Sequence, residues 1–317
     1  MPSHSLSRPL VVFPDADAEG LELLEYALTV VDASGIEIRH HLGVPRSDAE
    51  WIDRVSPADG MLLGWKLPNA ALRSAERLQL ISYLGTGVSD HVDLNAAAAQ
   101  NVIVTNVAGY GDDAVAEHAT ALLLAALRDV PRLDAAVRAG SWPQVGAWQL
   151  RGSRLGVVGL GGIGRRMAAI GAGLGMEVVA WNRSAETGST EAHGIALVPL
   201  DELLATSDAV SLHVPLNGDT RGLLDARRLS LMKPESILVN TARGAVVDET
   251  ALLQALDAGS IRAAALDVFD QEPIDPNNPL LKHDRTVVTP HVAFNTGEAA
   301  RELFVRALRN VVDHFAS

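Results

Sequence analysis

Cysteine is absent from this chain of 317 residues, which removes disulfides, thiolate metal sites and cysteine nucleophiles together. Lysine is scarce. Only Lys66, Lys233 and Lys282 occur, and none stands in a motif for Schiff-base chemistry. Although 48% of the residues are hydrophobic, no uninterrupted apolar run approaches the roughly 20 residues of a membrane span. The sequence therefore predicts a soluble protein with no membrane partner. A formal charge of -13 argues against broad binding to nucleic acid or anionic membrane. There is no repeat of solenoid length and no low-complexity linker. Met1 to Pro9 lacks the basic and apolar regions of a signal peptide, and the apolar run Leu10 to Phe13 is only strand-sized, so the expected location is the cytoplasm. His40, His41 and His213 lack metal-ligand spacing, and no metal site is expected.

The length suits two domains with substantial cores. In the first hundred residues, Leu10 to Phe13, Ile36 to His40, Gly60 to Gly64, Gln79 to Leu84 and Val102 to Thr105 read as strands separated by helical stretches. That alternation predicts an α/β domain with a parallel sheet. A long helical pattern covers Asp113 to Val130, and Pro131 interrupts it. The segment Gly140 to Gly152, with Trp142, Pro143 and Trp148, reads as an arm whose exposed aromatics suit a subunit contact. A second alternation begins at Arg154, with strand-like runs at Met176 to Trp181, Ala209 to Val214, Ser236 to Asn240, Ala263 to Val268 and Thr286 to Thr289. The amphipathic stretch Thr296 to Phe315 is expected to return to the first domain.

Within that second half, an apolar strand runs directly into Gly159-Leu160-Gly161-Gly162-Ile163-Gly164 and then into a helix. Gly-x-Gly-x-x-Gly in a βαβ unit is a dinucleotide pyrophosphate site. The first glycine permits the turn, the second lets backbone approach phosphate, and the third lets helix pack closely on strand. Amides at the helix start face the anion. An NAD-specific site usually places Asp or Glu at the end of the second strand, about 20 residues after the fingerprint begins. Here the chain reads Trp181-Asn182-Arg183-Ser184. With no carboxylate present, Arg183 and Ser184 are expected to hold a 2′-phosphate, which favours NADP over NAD.

Polar residues follow the other strands too. Arg243 stands in Asn240-Thr241-Ala242-Arg243-Gly244, Glu272 ends Asp267-Val268-Phe269-Asp270-Gln271-Glu272, and His291 follows Thr289-Pro290. In an open parallel sheet, ligands bind outside the carboxyl ends of the strands. Hydride transfer to a 2-oxo acid needs a cation for the carboxylate and carbonyl, and an acid for the developing alkoxide. Arginine, histidine and an orienting carboxylate supply those parts. Glu117-His118 lies on the long helix beside apolar positions and reads as structural. Tyr110 and Trp65, near strand ends of the first domain, are placed beside the substrate side chain.

The blocks Leu84 to Val88, Val115 to His118, Gly159 to Gly164, Ser211 to Leu216, Asn240 to Glu249, Ala265 to Pro273 and Thr289 to His291 occur in the order of one family. The chain resembles the D-isomer-specific 2-hydroxyacid dehydrogenases over nearly its whole length. The resemblance implies two Rossmann-like domains with parallel sheets. It places the substrate domain in residues 1–100 and 292–317, the NAD(P)-binding domain in residues 101–291, and an active-site cleft between them. It implies that Arg243 binds substrate, His291 is the general acid/base and Glu272 pairs with it, while amides around Thr86 and Gly87 receive the substrate carboxylate. Along the cofactor it puts the fingerprint residues, Asn182, Arg183, Ser184, Val214, Pro215, Thr241, Ala242 and Asp267, with Asp267 near the nicotinamide carboxamide and Pro215 on the adenine side. The implied substrate is a small 2-oxo acid such as glyoxylate or hydroxypyruvate, and the implied assembly is a homodimer. Formate dehydrogenases resemble a Gln-His pair instead, and phosphite dehydrogenases carry a lysine in the loop corresponding to Leu84 to Gly87, which this chain lacks. Corepressor-like nucleotide sensors of the same family are the rival from a different class.

Overall fold

A computed structural model describes residues 8–183, 190–191 and 194–316. The chain divides into two compact units, Met1–Gly111 with Thr296–Ser317, and Asp112–Asn295.

The first unit is built on strands β1 (Leu10–Ala16), β2 (Glu37–Leu42), β3 (Gly60–Leu63), β4 (Leu80–Tyr83) and β5 (Ile103–Thr105). They lie in the order β2-β1-β3-β4-β5, and every pair is parallel. Side chains alternate across the sheet, and both faces are apolar because helices cover both. Val11, Phe13, Leu62 and Leu80 meet Leu303, Phe304, Leu308 and Val311 on one face. Leu10, Val12, Met61, Leu63 and Ile81 meet Trp51 and Leu72 on the other. The helix Gly297–Ala316 thus returns to the first sheet as its amphipathic stripe demands. Each fully buried Leu or Val there stabilises the attachment by about 1.5–3 kcal/mol.

At the carboxyl end of β1, Asp15 is almost fully buried. Its carboxylate accepts the Trp65 amide at 2.6 Å and the Gly64 amide at 3.2 Å, fixing the turn after β3. Burial pushes its carboxyl up to about 6 against the pull of those amides and the charge of Arg54. The ionised form is the one the fold disfavours. Its contribution to stability is therefore complete below the unfolded value and lost as pH rises through about 6. A shift of this size is worth roughly 3 kcal/mol. Asp15→Asn cannot titrate, so urea unfolding should show wild type losing about that much stability relative to the variant between about pH 4 and pH 7. Parallel pH profiles for the two proteins would refute the assignment.

The second unit contains β6 (Arg154–Val158), β7 (Glu177–Trp181), β8 (Thr190–Glu191), β9 (Ile195–Leu197), β10 (Ala209–Leu212), β11 (Ile237–Asn240), β12 (Ala263–Leu266) and β13 (Thr286–Val288). Their order is β13-β12-β11-β10-β6-β7-β9-β8. All pairs are parallel except β8 with β9. The sequence pattern did not reveal these two strands, which are too short to show a period. From β6 the chain moves outward to β7 and later returns to β10 on the other side, so the strand order reverses at the β6/β10 boundary. Register aligns Trp181, Val158, Leu212, Asn240, Leu266 and Val288 in one row. The next residue on each strand is Asn182, Gly159, His213, Thr241, Asp267 and Thr289. One edge therefore collects the unusual residues of six separate segments.

Two local expectations need correction. The long helix ends earlier, as Asp112–Leu127, and Pro131 starts the next helix, Val130–Arg138, instead of merely interrupting the first. Asp129 takes the break in a left-handed conformation at φ 58°. Proline is tolerated in a first turn because its missing N–H would have no helical partner there. Trp148, expected to be exposed, packs against the core with Leu155 and its neighbours, whereas Trp142 is 79% exposed. Among the described residues, no helix is long and apolar enough to cross a membrane, and no three or more His, Asp or Glu side chains are grouped so as to hold a metal ion.

Candidate active site

The glycine fingerprint sits at the β6/β10 reversal. Gly159 has φ 98°, and a Cβ there would meet the His213 carbonyl oxygen at 2.5 Å. A side chain would be strained and would push β6 from β10. A Cβ on Gly164 would collide with the Gly159 carbonyl, whereas one on Gly161 would point into open space. The middle glycine thus leaves room for a ligand beside the backbone, and the outer two serve the turn and the packing. Gly161 precedes the helix Gly162–Gly173, which carries Ile163 and whose N-cap makes no side-chain hydrogen bond to the first turn, leaving first-turn amides as donors for an anion. Nearby, the Thr241 hydroxyl is buried and has no hydrogen-bond partner among the described residues. These features fit a bound dinucleotide.

Arg183 follows β7 directly after Asn182 and is exposed, with its Nη1 2.5 Å from Asp219 Oδ2. Ser184 lies outside the described residues. Beyond β10, Val214 is buried and Pro215 exposed, and the Pro215 carbonyl accepts the Thr220 hydroxyl at 2.6 Å. His213 donates or accepts at Nε2 with the Ser211 hydroxyl, 2.9 Å away. Burial pushes its imidazole down to about 4, so it is neutral at physiological pH and carries no charge to the site.

Arg243 and Glu272 are brought together by a close backbone approach. Gly244 lies against the Phe269 carbonyl and the Asp270 amide, and any Cβ would clash with that backbone. The sequence motif contained this glycine without revealing what it faces. Asn240 locks the Arg243 turn from beneath. Its Nδ2 donates to the Arg243 carbonyl at 3.0 Å and its Oδ1 accepts the Ala242 amide at 3.0 Å. Glu249 holds the opposite loop, accepting the Asp270 amide at 2.6 Å and Asn278 Nδ2 at 3.1 Å.

Glu272 Oε2 lies 2.6 Å from His291 Nδ1, and its Oε1 accepts the Phe269 amide at 3.0 Å. Burial works to raise the Glu272 carboxyl. The bonds from His291 and Phe269, with the charges of His291 and Arg243, outweigh it and hold the group below its ordinary value. Glu272 is therefore an anion throughout the neutral range, and an anion at Nδ1 requires the proton on that nitrogen. Nε2 is left to exchange a proton with a ligand.

His291 has φ 53°, a left-handed conformation that costs about 1–2 kcal/mol for a residue with a Cβ. Asp267 offsets this cost. Its backbone carbonyl accepts the His291 amide at 2.8 Å. Its fully buried carboxylate accepts the Val292 amide at 3.0 Å, the Ala293 amide at 2.9 Å and the Thr289 hydroxyl at 2.6 Å.

The remaining expected site residues belong to the first unit. Thr86 and Gly87 follow β4. The Thr86 carbonyl accepts Asn106 Nδ2 at 2.7 Å and the Gly87 carbonyl lies 3.2 Å from His91 Nδ1. Among the described residues, neither the Thr86 nor the Gly87 amide donates to another group of the protein. Trp65 is exposed, while Tyr110 packs against the apolar cluster beneath the last helix.

A doubly wound parallel sheet, a glycine fingerprint at its reversal and a histidine–carboxylate pair with an arginine on the same edge define a nucleotide-dependent dehydrogenase fold. The profile for the D-isomer specific 2-hydroxyacid dehydrogenase NAD binding domain matches residues 120–293. The chain is 39% identical over 280 residues to a D-3-phosphoglycerate dehydrogenase of Archaeoglobus fulgidus, covering 87% of this chain and 52% of that protein. It is 40% identical over 250 residues to a glyoxylate reductase of Aeropyrum pernix, covering 76% and 74%. An NADPH-dependent glyoxylate/hydroxypyruvate reductase of Sinorhizobium meliloti, solved with NADP and malonate, superposes with TM-score 0.83 at 28% identity, covering 98% and 95%. This chain belongs to the D-isomer specific 2-hydroxyacid dehydrogenase family. It spans about half the length of the phosphoglycerate dehydrogenases it matches.

Proposed function

We propose that this protein reversibly reduces a small 2-oxo acid to the D-2-hydroxy acid. The observation that carries this reading is the His291–Glu272 pair at 2.6 Å, set on the same sheet edge as Arg243 and the glycine fingerprint. A nicotinamide dinucleotide held at the glycine fingerprint would supply the hydride for C2 of the substrate. His291 Nε2 gives its proton to the carbonyl oxygen, which becomes the hydroxyl, and takes it back in the oxidative direction. Glu272 holds the Nδ1 proton in place and balances the imidazolium. Arg243 binds the substrate carboxylate and polarises the carbonyl. In the first unit, the Thr86 and Gly87 amides are assigned to the substrate carboxylate. Thr241, Ala242, Val214 and Pro215 are assigned to the cofactor, as is Asp267, whose Oδ2 accepts one bond among the described residues, from the Ala293 amide.

Glyoxylate and hydroxypyruvate are the favoured substrates, supported by the relatives named for them. A relative named for 3-phosphoglycerate keeps that larger acid in the comparison. The same reading makes the protein a cytoplasmic homodimer, with the exposed Trp142 arm as the contact. Consumption of NADPH and NADH should be followed over a panel of 2-oxo acids, 3-phosphohydroxypyruvate included. Turnover of the two small acids is expected. No consumption with any acid would overturn the enzyme reading in favour of a corepressor-like nucleotide sensor.

NADP is the favoured cofactor, because Arg183 stands where an acidic residue would exclude the 2′-phosphate. A charge-assisted contact to phosphate is worth about 1.5–3 kcal/mol, so Arg183→Ala should weaken NADPH roughly 10- to 150-fold and NADH little. Fluorescence titration of both cofactors checks this. Equal losses, or a wild type that prefers NADH, would sink the assignment.

A further inference from the structure

A proton count on the His291 loop identifies the role of a second histidine. Thr289 Oγ1 lies 2.6 Å from Asp267 Oδ1, and a carboxylate cannot donate, so the one hydroxyl hydrogen belongs to that bond. Thr289 Oγ1 can then only accept from His118 Nε2, which is 3.0 Å away. His118 therefore carries a proton on Nε2, and this N–H edge also lies 3.5 Å from Asp267 Oδ1. The imidazole is 24% exposed and projects from the helix Asp112–Leu127 of the second unit.

We propose that His118 is a positioning residue for His291, acting through Thr289 and Asp267. This rests on His291 being the acid/base. Only Pro290 separates Thr289 from His291, and its φ is fixed by the ring. Holding the Thr289 side chain at one end, and the His291 amide on the Asp267 carbonyl at 2.8 Å, fixes the turn that aims the imidazole. Without the His118 donor, the Thr289 hydroxyl loses its support and the Asp267 carboxylate loses an electropositive edge. The left-handed turn then has neighbouring conformations open to it. Proton transfer is sensitive to displacements near 1 Å, which cost about 10²-fold.

His118→Leu removes the donor, and His118→Gln keeps an N–H at similar reach. In hydrogen–deuterium exchange, His118→Leu should exchange the 289–293 amides about tenfold faster than wild type, with the helix Gly162–Gly173 unchanged. Reduction of the 2-oxo acid should fall about 10- to 100-fold in kcat, with cofactor Kd within about twofold. His118→Gln should recover both properties. The proposal is overturned by unchanged loop exchange in the Leu variant, by equal loosening of loop and fingerprint helix, by unaltered kcat, or by a Gln variant that recovers nothing. A wild type inactive on every 2-oxo acid would fail the functional reading, and loop exchange in the two variants would still decide whether His118 anchors the turn.

Discussion

His291→Ala should lose about 10²- to 10⁴-fold in kcat for 2-oxo acid reduction while binding cofactor as wild type does. The variant removes an imidazole held by an anion at Nδ1, 2.6 Å from Glu272 Oε2, and with it the proton delivered to the carbonyl oxygen. Water can supply that proton only without the oriented geometry. Cofactor affinity is expected to persist because the fingerprint follows β6, whereas His291 follows β13 at the end of the sheet. Alanine also adopts the φ of 53° no more readily than histidine, so the loop still relies on the Asp267 carboxylate. Steady-state reduction with NADPH, paired with fluorescence titration of cofactor, separates these effects. A variant within tenfold of wild-type kcat would remove His291 from the chemistry. Loss of cofactor binding in parallel would point to a collapsed loop.

The residues of this edge were legible in the sequence because each follows a strand that announces itself. Apolar runs of four or five residues bounded by turn residues locate β6, β10, β11 and β12, and parallel register then brings their next residues into one row. The glycine spacing needed only local sequence, since Gly159 and Gly164 meet each other across five residues. What could not be read are pairings set by the tertiary fold. His118 and Thr289 are 171 residues apart, and no local pattern links them. Nothing in the local sequence around Gly244 indicates the Phe269 carbonyl that lies against it. No sequence signal marks Asp15, and only the fold shows it buried under the Gly64 and Trp65 amides. Arg183 was readable as a candidate phosphate ligand, but its ion pair with Asp219 comes from a loop after a different strand.

Arg243→Lys should reduce kcat/KM for the 2-oxo acid by about 10²- to 10³-fold, although the positive charge is kept. A guanidinium presents a planar fork that binds a carboxylate through two parallel N–H bonds, while an ammonium is a point charge on a flexible stem. The structure adds a second reason. Arg243 Nη1 already donates to the Ala242 carbonyl at 2.8 Å, so part of the fork anchors the side chain to its own turn and the other donors are left for a ligand. Lysine cannot hold such an anchor and still present two coplanar donors to substrate. Charge alone accounts for a smaller share, which Arg243→Gln measures by removing it. Both variants should retain cofactor affinity, because Gly244 and its contact with the Phe269 backbone are untouched and the turn should keep its shape. If geometry decides, Lys and Gln variants lose comparable amounts of kcat/KM. If charge decides, the Lys variant stands close to wild type and well above Gln. That second outcome would move the carboxylate anchor away from Arg243.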